Sequence, residues 1–78
     1  MRNTERIALT EVITRNLQDA RISTIKTADN AFETIIWWND CEVFMKNYAS
    51  LDAAKFGHAC AVRIARNSKI IHGEMFCI

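Results

Sequence analysis

Phe32-Glu33-Thr34-Ile35-Ile36-Trp37-Trp38, then Asn39-Asp40, then Cys41-Glu42-Val43-Phe44-Met45-Lys46-Asn47-Tyr48 is the stretch that decides the fold. Its two arms are rich in aromatic and β-branched residues, which favour a pleated, half-buried surface. Asn and Asp tolerate positive φ, so the two residues between the arms suit a tight hairpin turn. Counting outward from that turn sets Trp38 opposite Cys41, Trp37 opposite Glu42 and Ile36 opposite Val43. Ile35 then faces Phe44, Thr34 faces Met45, and Glu33 faces Lys46. Cross-strand partners share a sheet face. This register therefore gathers Phe32, Ile36, Trp38, Val43 and Met45 on one side. Ile35, Trp37 and Phe44 fall on the other, rimmed by Glu33, Glu42 and Lys46.

Toward the C-terminus, Ser50 has the chemistry of a helix N-cap, and Asp52 places a negative charge in the first turn, where the helix dipole favours it. The pattern predicts a helix from Leu51 to about Arg66, ending near Asn67. Asp52, Lys55, Ala59, Arg63 and Arg66 fall on one polar stripe. Leu51, Ala54, His58, Ala61, Val62 and Ala65 make one apolar face, and Ala53, Phe56, Cys60 and Ile64 an adjoining one. So wide an apolar arc exceeds what one sheet face usually covers. The tail from Lys69 to Ile78 is strongly apolar and reads either as a last strand or as a segment docked on a neighbouring chain.

Toward the N-terminus, Ile7 to Thr14 reads as a strand, although Leu9, Val12, Ile13 and Leu17 also fit helical spacing. A loop over Arg15 to Asp19, a second strand from Arg21 to Lys26 and a turn at Thr27 to Asn30 complete the reading. The expected fold is α+β in a single small domain, an antiparallel sheet of three to four strands packed against one helix. A helical N-terminus with a smaller sheet is the alternative.

Composition excludes several classes. The chain has 78 residues, half of them hydrophobic, with 10 Lys plus Arg against 9 Asp plus Glu. A net charge of +1 fits neither an acidic nucleic-acid mimic nor a strongly basic nucleic-acid binder. No apolar run reaches the roughly 18 residues of a membrane span, and no secretory signal is expected, since no apolar stretch of the kind a signal needs follows the charged Met1 to Arg6. Cys41, Cys60 and Cys77 cannot all pair within one chain, so free thiols in a cytoplasm are expected.

The chemistry-bearing residues are scattered. Cys41, His58, Cys60, His72 and Cys77 lack the close ligand pairs of a structural zinc site. No signature of a cysteine nucleophile surrounds any of them. Gly57 and Gly73 stand far apart and make no phosphate-cradling loop. The expectation is no metal, no cofactor and no catalytic site, with His58 packed against the sheet and bonded to a backbone carbonyl. Lys55, Arg63 and Arg66, with nearby Lys69, form a short basic stripe that could contact nucleic acid in a salt-sensitive way. Ile35, Trp37 and Phe44 with Glu42 have the anatomy of a partner-binding surface, an apolar centre with a charged rim.

Several short motifs occur in a telling order. They are Ile7-Ala8-Leu9-Thr10-Glu11-Val12, Arg21-Ile22-Ser23-Thr24-Ile25, Phe32-Glu33-Thr34, Tyr48-Ala49-Ser50, Ala53-Ala54, Gly57-His58 and Ala61-Val62. In this order the chain resembles a family of small, largely uncharacterised phage-encoded proteins that carry a Ser-Thr strand, a Phe-Glu-Thr strand and a Tyr-Ala-Thr…Gly-His segment. The chain departs from them in lacking a Gly-rich loop before Phe32, in pairing Trp37 with Trp38, and in its apolar tail. The resemblance implies a phage origin and a host-cytoplasm setting. With the absence of a catalytic constellation, it leads to the expectation of a non-enzymatic accessory protein. Such a protein would bind and inhibit a bacterial protein, in counter-defence or host takeover. A nucleic-acid-binding or transcription-modulating protein is the alternative. A chain of this size rarely gains more than about 3–5 kcal/mol from its own core. A homo-oligomer is therefore also expected, through Phe56, Cys60 and Ile64 on the helix or through Met75 and Phe76 in the tail.

Overall fold

The computed structural model describes residues 5–27 and 31–77. The chain runs β1 (Glu5–Ile13), β2 (Asp19–Lys26), β3 (Phe32–Trp38), β4 (Cys41–Tyr48), α1 (Leu51–Arg66), β5 (Ser68–Ile71) and β6 (Glu74–Cys77). The first four strands form an antiparallel sheet in the order β1-β2-β3-β4, and β5 and β6 form a separate two-stranded hairpin. The fold is α+β, with four strands packed against one helix. The N-terminal segment is strand and not helix, so Leu9 and Ile13 lie on one sheet face and Val12 on the other. Most of the expected turn over Thr27 to Asn30 falls at positions 28–30, outside the described residues. Its closing contact is seen in the Thr27 amide, which donates to the Ala31 carbonyl at 2.8 Å.

The β3–β4 hairpin turns at Asn39 and Asp40, with φ of 47° and 65°. Trp38 faces Cys41 and Trp37 faces Glu42, as counted from the turn. One step further the register shifts. Val43 is an extra residue, so Ile36 faces Phe44, Ile35 faces Met45 and Thr34 faces Lys46. A β-bulge of this kind puts two residues of one strand against one of its partner. Because side chains alternate with a period of two, one inserted residue exchanges the faces of all that follow. Phe44 therefore turns toward the helix, Met45 turns away from it, and the expected Glu33–Lys46 pair does not form, since Glu33 faces Asn47.

The helix begins at Ser50, whose hydroxyl accepts the Ala53 amide at 3.1 Å, and ends at Asn67, whose amide donates to the Arg63 and Ile64 carbonyls. It buries Ala54, Gly57, His58, Ala61 and Ala65. Four of these five residues are Gly or Ala, which lets the helix lie close to the sheet. Its C-terminal half meets an apolar patch of Val12, Ala20, Ile22 and Ile36, joined by Ile70 of β5. Trp38, Phe44 and Met75 pack against the same cluster. The tail thus folds back on its own chain, through a His72-Gly73 turn with φ of 52° and 78°. Asn16, in the β1–β2 turn, holds it there. Its side-chain amide donates to the Ile70 carbonyl at 2.7 Å and its side-chain oxygen accepts the Ile70 amide at 3.1 Å.

Candidate functional site

Two features stand out once the faces are assigned: a polar seam buried under the helix, and a sheet face that no described element covers.

The seam is built from one inward threonine on each of three adjacent strands. Thr10, Thr24 and Thr34 point to the helix side, and Thr24 and Thr34 are direct cross-strand partners. His58 descends between them. Its Nε2 lies 2.9 Å from Thr10 Oγ1 and its Nδ1 lies 2.7 Å from Thr24 Oγ1. Thr24 Oγ1 is in turn 2.7 Å from Thr34 Oγ1. Either neutral tautomer satisfies the chain, because hydroxyls both donate and accept. Burial pushes the His58 pKa below its ordinary value of 6.5, since the cation would lose its hydration. The expected bond from His58 to a backbone carbonyl is replaced by these two hydroxyls. Beside the seam, the Tyr48 ring occupies the space where a side chain at Gly57 would project. Thr24, Thr34, Tyr48, Gly57 and His58, which carry much of the motif order described above, thus meet in one place. Their chemistry there is that of a satisfied, closed core junction.

The other face of the sheet is open, because α1 and the β5–β6 hairpin both lie on the seam side. Its central row runs Leu9, Ser23, Ile35, Met45 across the four strands. The row toward the Asn39-Asp40 turn is Glu11, Arg21, Trp37, Glu42, and the row at the other end is Arg6, Ile25, Glu33, Asn47. Leu9, Ile13 and Met45 are 43%, 53% and 50% exposed. Ile35, in the middle of the row, is itself buried. Glu11 and Arg21 approach to 3.8 Å, both well exposed, a contact worth at most about 1 kcal/mol. At the turn end of the sheet a depression is bordered by Glu11, Asp19, Arg21, Trp37 and Asp40, with Arg66 reaching it from the end of the helix. Three carboxylates and two guanidinium groups there mix signs, which suits a protein surface better than a phosphate backbone.

Of the sequence-derived partner residues, the structure brings Ile35, Trp37 and Glu42 together on this face and removes Phe44 to the core. Leu9, Ile13 and Met45 join them; the first two were ambiguous between helix and strand, and the third was hidden by the bulge. The residues assigned to self-association separate. Phe56 and Phe76 are 73% and 48% exposed, Cys60 and Ile64 are half-buried, and Met75 packs into its own chain's core. Lys55, Arg63 and Arg66 share the solvent-facing side of the helix. Among the described residues no group of three or more His, Cys, Asp or Glu could hold a metal, and no helix is long and apolar enough to cross a membrane. Comparison with known protein families, curated proteins and solved structures finds no match to this chain.

Proposed function

We propose that this is a non-enzymatic binding protein that docks on a bacterial protein through the open sheet face. The observation that carries the reading is the face itself, whose apolar surface of Leu9, Trp37 and Met45 around the buried Ile35 is flanked by charges of both signs. Apolar surface of this kind, rimmed by polar groups, is uncommon on a monomeric protein unless it is a contact site. Trp37 is its anchor, since a large aromatic beside Arg21 is the type of residue in which binding energy concentrates. The phage setting, and with it inhibition of a host protein, comes from the motif resemblance.

Affinity capture from bacterial lysate tests this. The wild-type chain should enrich a specific protein, and Trp37→Ala and Met45→Lys should each lose it while keeping the wild-type circular dichroism spectrum. Equal recovery by all three chains, or no specific protein with any of them, overturns the reading. The exposed Lys55, Arg63 and Arg66 support the nucleic-acid alternative, which requires a gel shift that weakens steeply with salt and with Arg63→Ala.

A further inference from the structure

We infer that the open sheet face binds a second copy of this chain, face to face, about a two-fold axis running across the strands along Leu9, Ser23, Ile35 and Met45. The inference rests on the reading of that face as a protein-contact surface and names its occupant when the chain is alone.

The argument is one of charge placement. The central row carries no charge; the charges lie in the two rows that flank it and, beyond them, at Asp19. A two-fold axis along the central row lays each strand over the same strand of the second copy and exchanges the flanking rows. On β1, Glu11 then meets Arg6 of the second copy, and Arg6 meets its Glu11. On β2, Arg21 comes over Ile25 of the second copy, one strand away from its Glu33. Arg6 therefore meets a carboxylate at both symmetric contacts, Arg21 stays beside Glu11 of its own chain, and the apolar row packs on itself around the small Ser23. The long Glu and Arg side chains span the offset that sheet twist introduces between packed sheets. The other aligned arrangement has its axis along the strands and sets β1 over β4. It places Glu11 against Glu42 of the second copy and leaves Arg6 opposite Asn47, so like charges meet and a positive charge goes unanswered. The face is complementary to itself in the first arrangement and not in the second. An isologous contact requires that self-complementarity.

Size sets the strength. Four strands at about 4.8 Å spacing and eight residues at about 3.3 Å give a face of roughly 19 by 26 Å. That lies below the roughly 800 Å² per partner of a standard interface. The dimer is accordingly concentration-dependent and leaves the face available to a competing partner.

Sedimentation equilibrium of the full chain decides, using charge reversal at two exposed positions that leave the core untouched. The wild type should move from 8.9 kDa toward twice that mass between about 1 and 100 µM. Arg6→Glu and Glu11→Arg should each raise the dissociation constant at least tenfold, roughly the effect of one like-charge pair at each symmetric contact. The double variant, Arg6→Glu with Glu11→Arg, should restore the dimer. Phe56→Asp, on the far side of the helix, should leave it unchanged. A wild type that stays at the monomer mass at about 100 µM overturns the inference. So does a dimer indifferent to both single reversals, or one that the double variant fails to restore. A monomer that still captures a bacterial protein in a Trp37-dependent way overturns the dimer and leaves the proposed function standing. A dimer that responds to the reversals but captures nothing supports the inference and counts against the bacterial target.

Discussion

Thr24 Oγ1 lies 2.7 Å from His58 Nδ1 and 2.7 Å from Thr34 Oγ1, so one hydroxyl ties the helix to the two central strands. Thr24 and Thr34 are fully buried, and a buried polar atom left unpaired costs more than its hydrogen bond contributes. Thr24→Val keeps the shape but strands both His58 Nδ1 and the Thr34 hydroxyl. It should destabilise by about 1–3 kcal/mol in urea unfolding. Thr34→Val leaves His58 with both its partners and should cost less. A Thr24→Val protein as stable as the wild type would show that the seam contributes nothing.

The same seam makes stability pH-dependent. Burial lowers the His58 pKa in the folded state, so the unfolded chain takes up its proton first as pH falls. Stability from this group is therefore complete above pH 6.5, is lost as pH drops from 6.5 toward the folded-state pKa, and is flat below it. Urea midpoints across pH 7.5 to 5 should fall for the wild type, and fall less for His58→Gln. An identical pH slope in the two proteins would contradict the burial argument.

Tyr48 and Gly57 form a second junction beside the seam. A methyl group at Gly57 would overlap the Tyr48 ring, so Gly57→Ala must push that ring outward. It should destabilise by about 1–3 kcal/mol despite the better helix propensity of Ala. In a Tyr48→Ala background the obstruction is gone, and the same substitution should stabilise by up to about 1 kcal/mol. A double-mutant cycle measured by thermal unfolding reads the difference directly, and additive effects would show that the ring does not need the gap.

How far the sequence could be read follows from which signals are local. Ser50, Asp52 and Asn67 mark the helix through chemistry within one turn, and Asn39-Asp40 marks its hairpin through the positive φ both residues adopt. The His72-Gly73 turn carried a comparable signal in a glycine between two apolar runs. The bulge at Val43 had none, because Cys41 to Tyr48 has no alternation strong enough to fix which residue is extra. Phe44 and Met45 are both large and apolar, and either suits the core. The seam was equally hidden, since Thr10, Thr24 and Thr34 resemble ordinary β-branched strand residues until the register sets them beside His58. The open sheet face inherits both effects: Ile35, Trp37 and Glu42 were legible from the turn outward, while Met45 became so only once the bulge was placed.

The tail hairpin depends on Asn16, whose side chain pairs with both backbone groups of Ile70 as a neighbouring strand would. Asn16→Ala removes both bonds, together with the one its side-chain oxygen accepts from the Thr14 hydroxyl at 2.7 Å. It should cost about 1–2 kcal/mol and raise hydrogen exchange selectively at the Ile70 amide and along β5 and β6, with β2 and β3 unchanged. Exchange unchanged at Ile70 and along β5 and β6 would show that the tail is held without Asn16, by the Arg15 amide's bond to the Ser68 carbonyl and by its apolar contacts.

The central claim is that this protein meets other polypeptides through the open sheet face. Photocrosslinking in bacterial cells tests it most directly, with a benzophenone amino acid placed either at Ser23, in the middle of the face, or at Ala59, on the exposed side of the helix. The account predicts crosslinks to a second polypeptide, another copy of the chain or a bacterial protein, from position 23 and none from position 59. Crosslinks from position 59 with none from position 23 would contradict it.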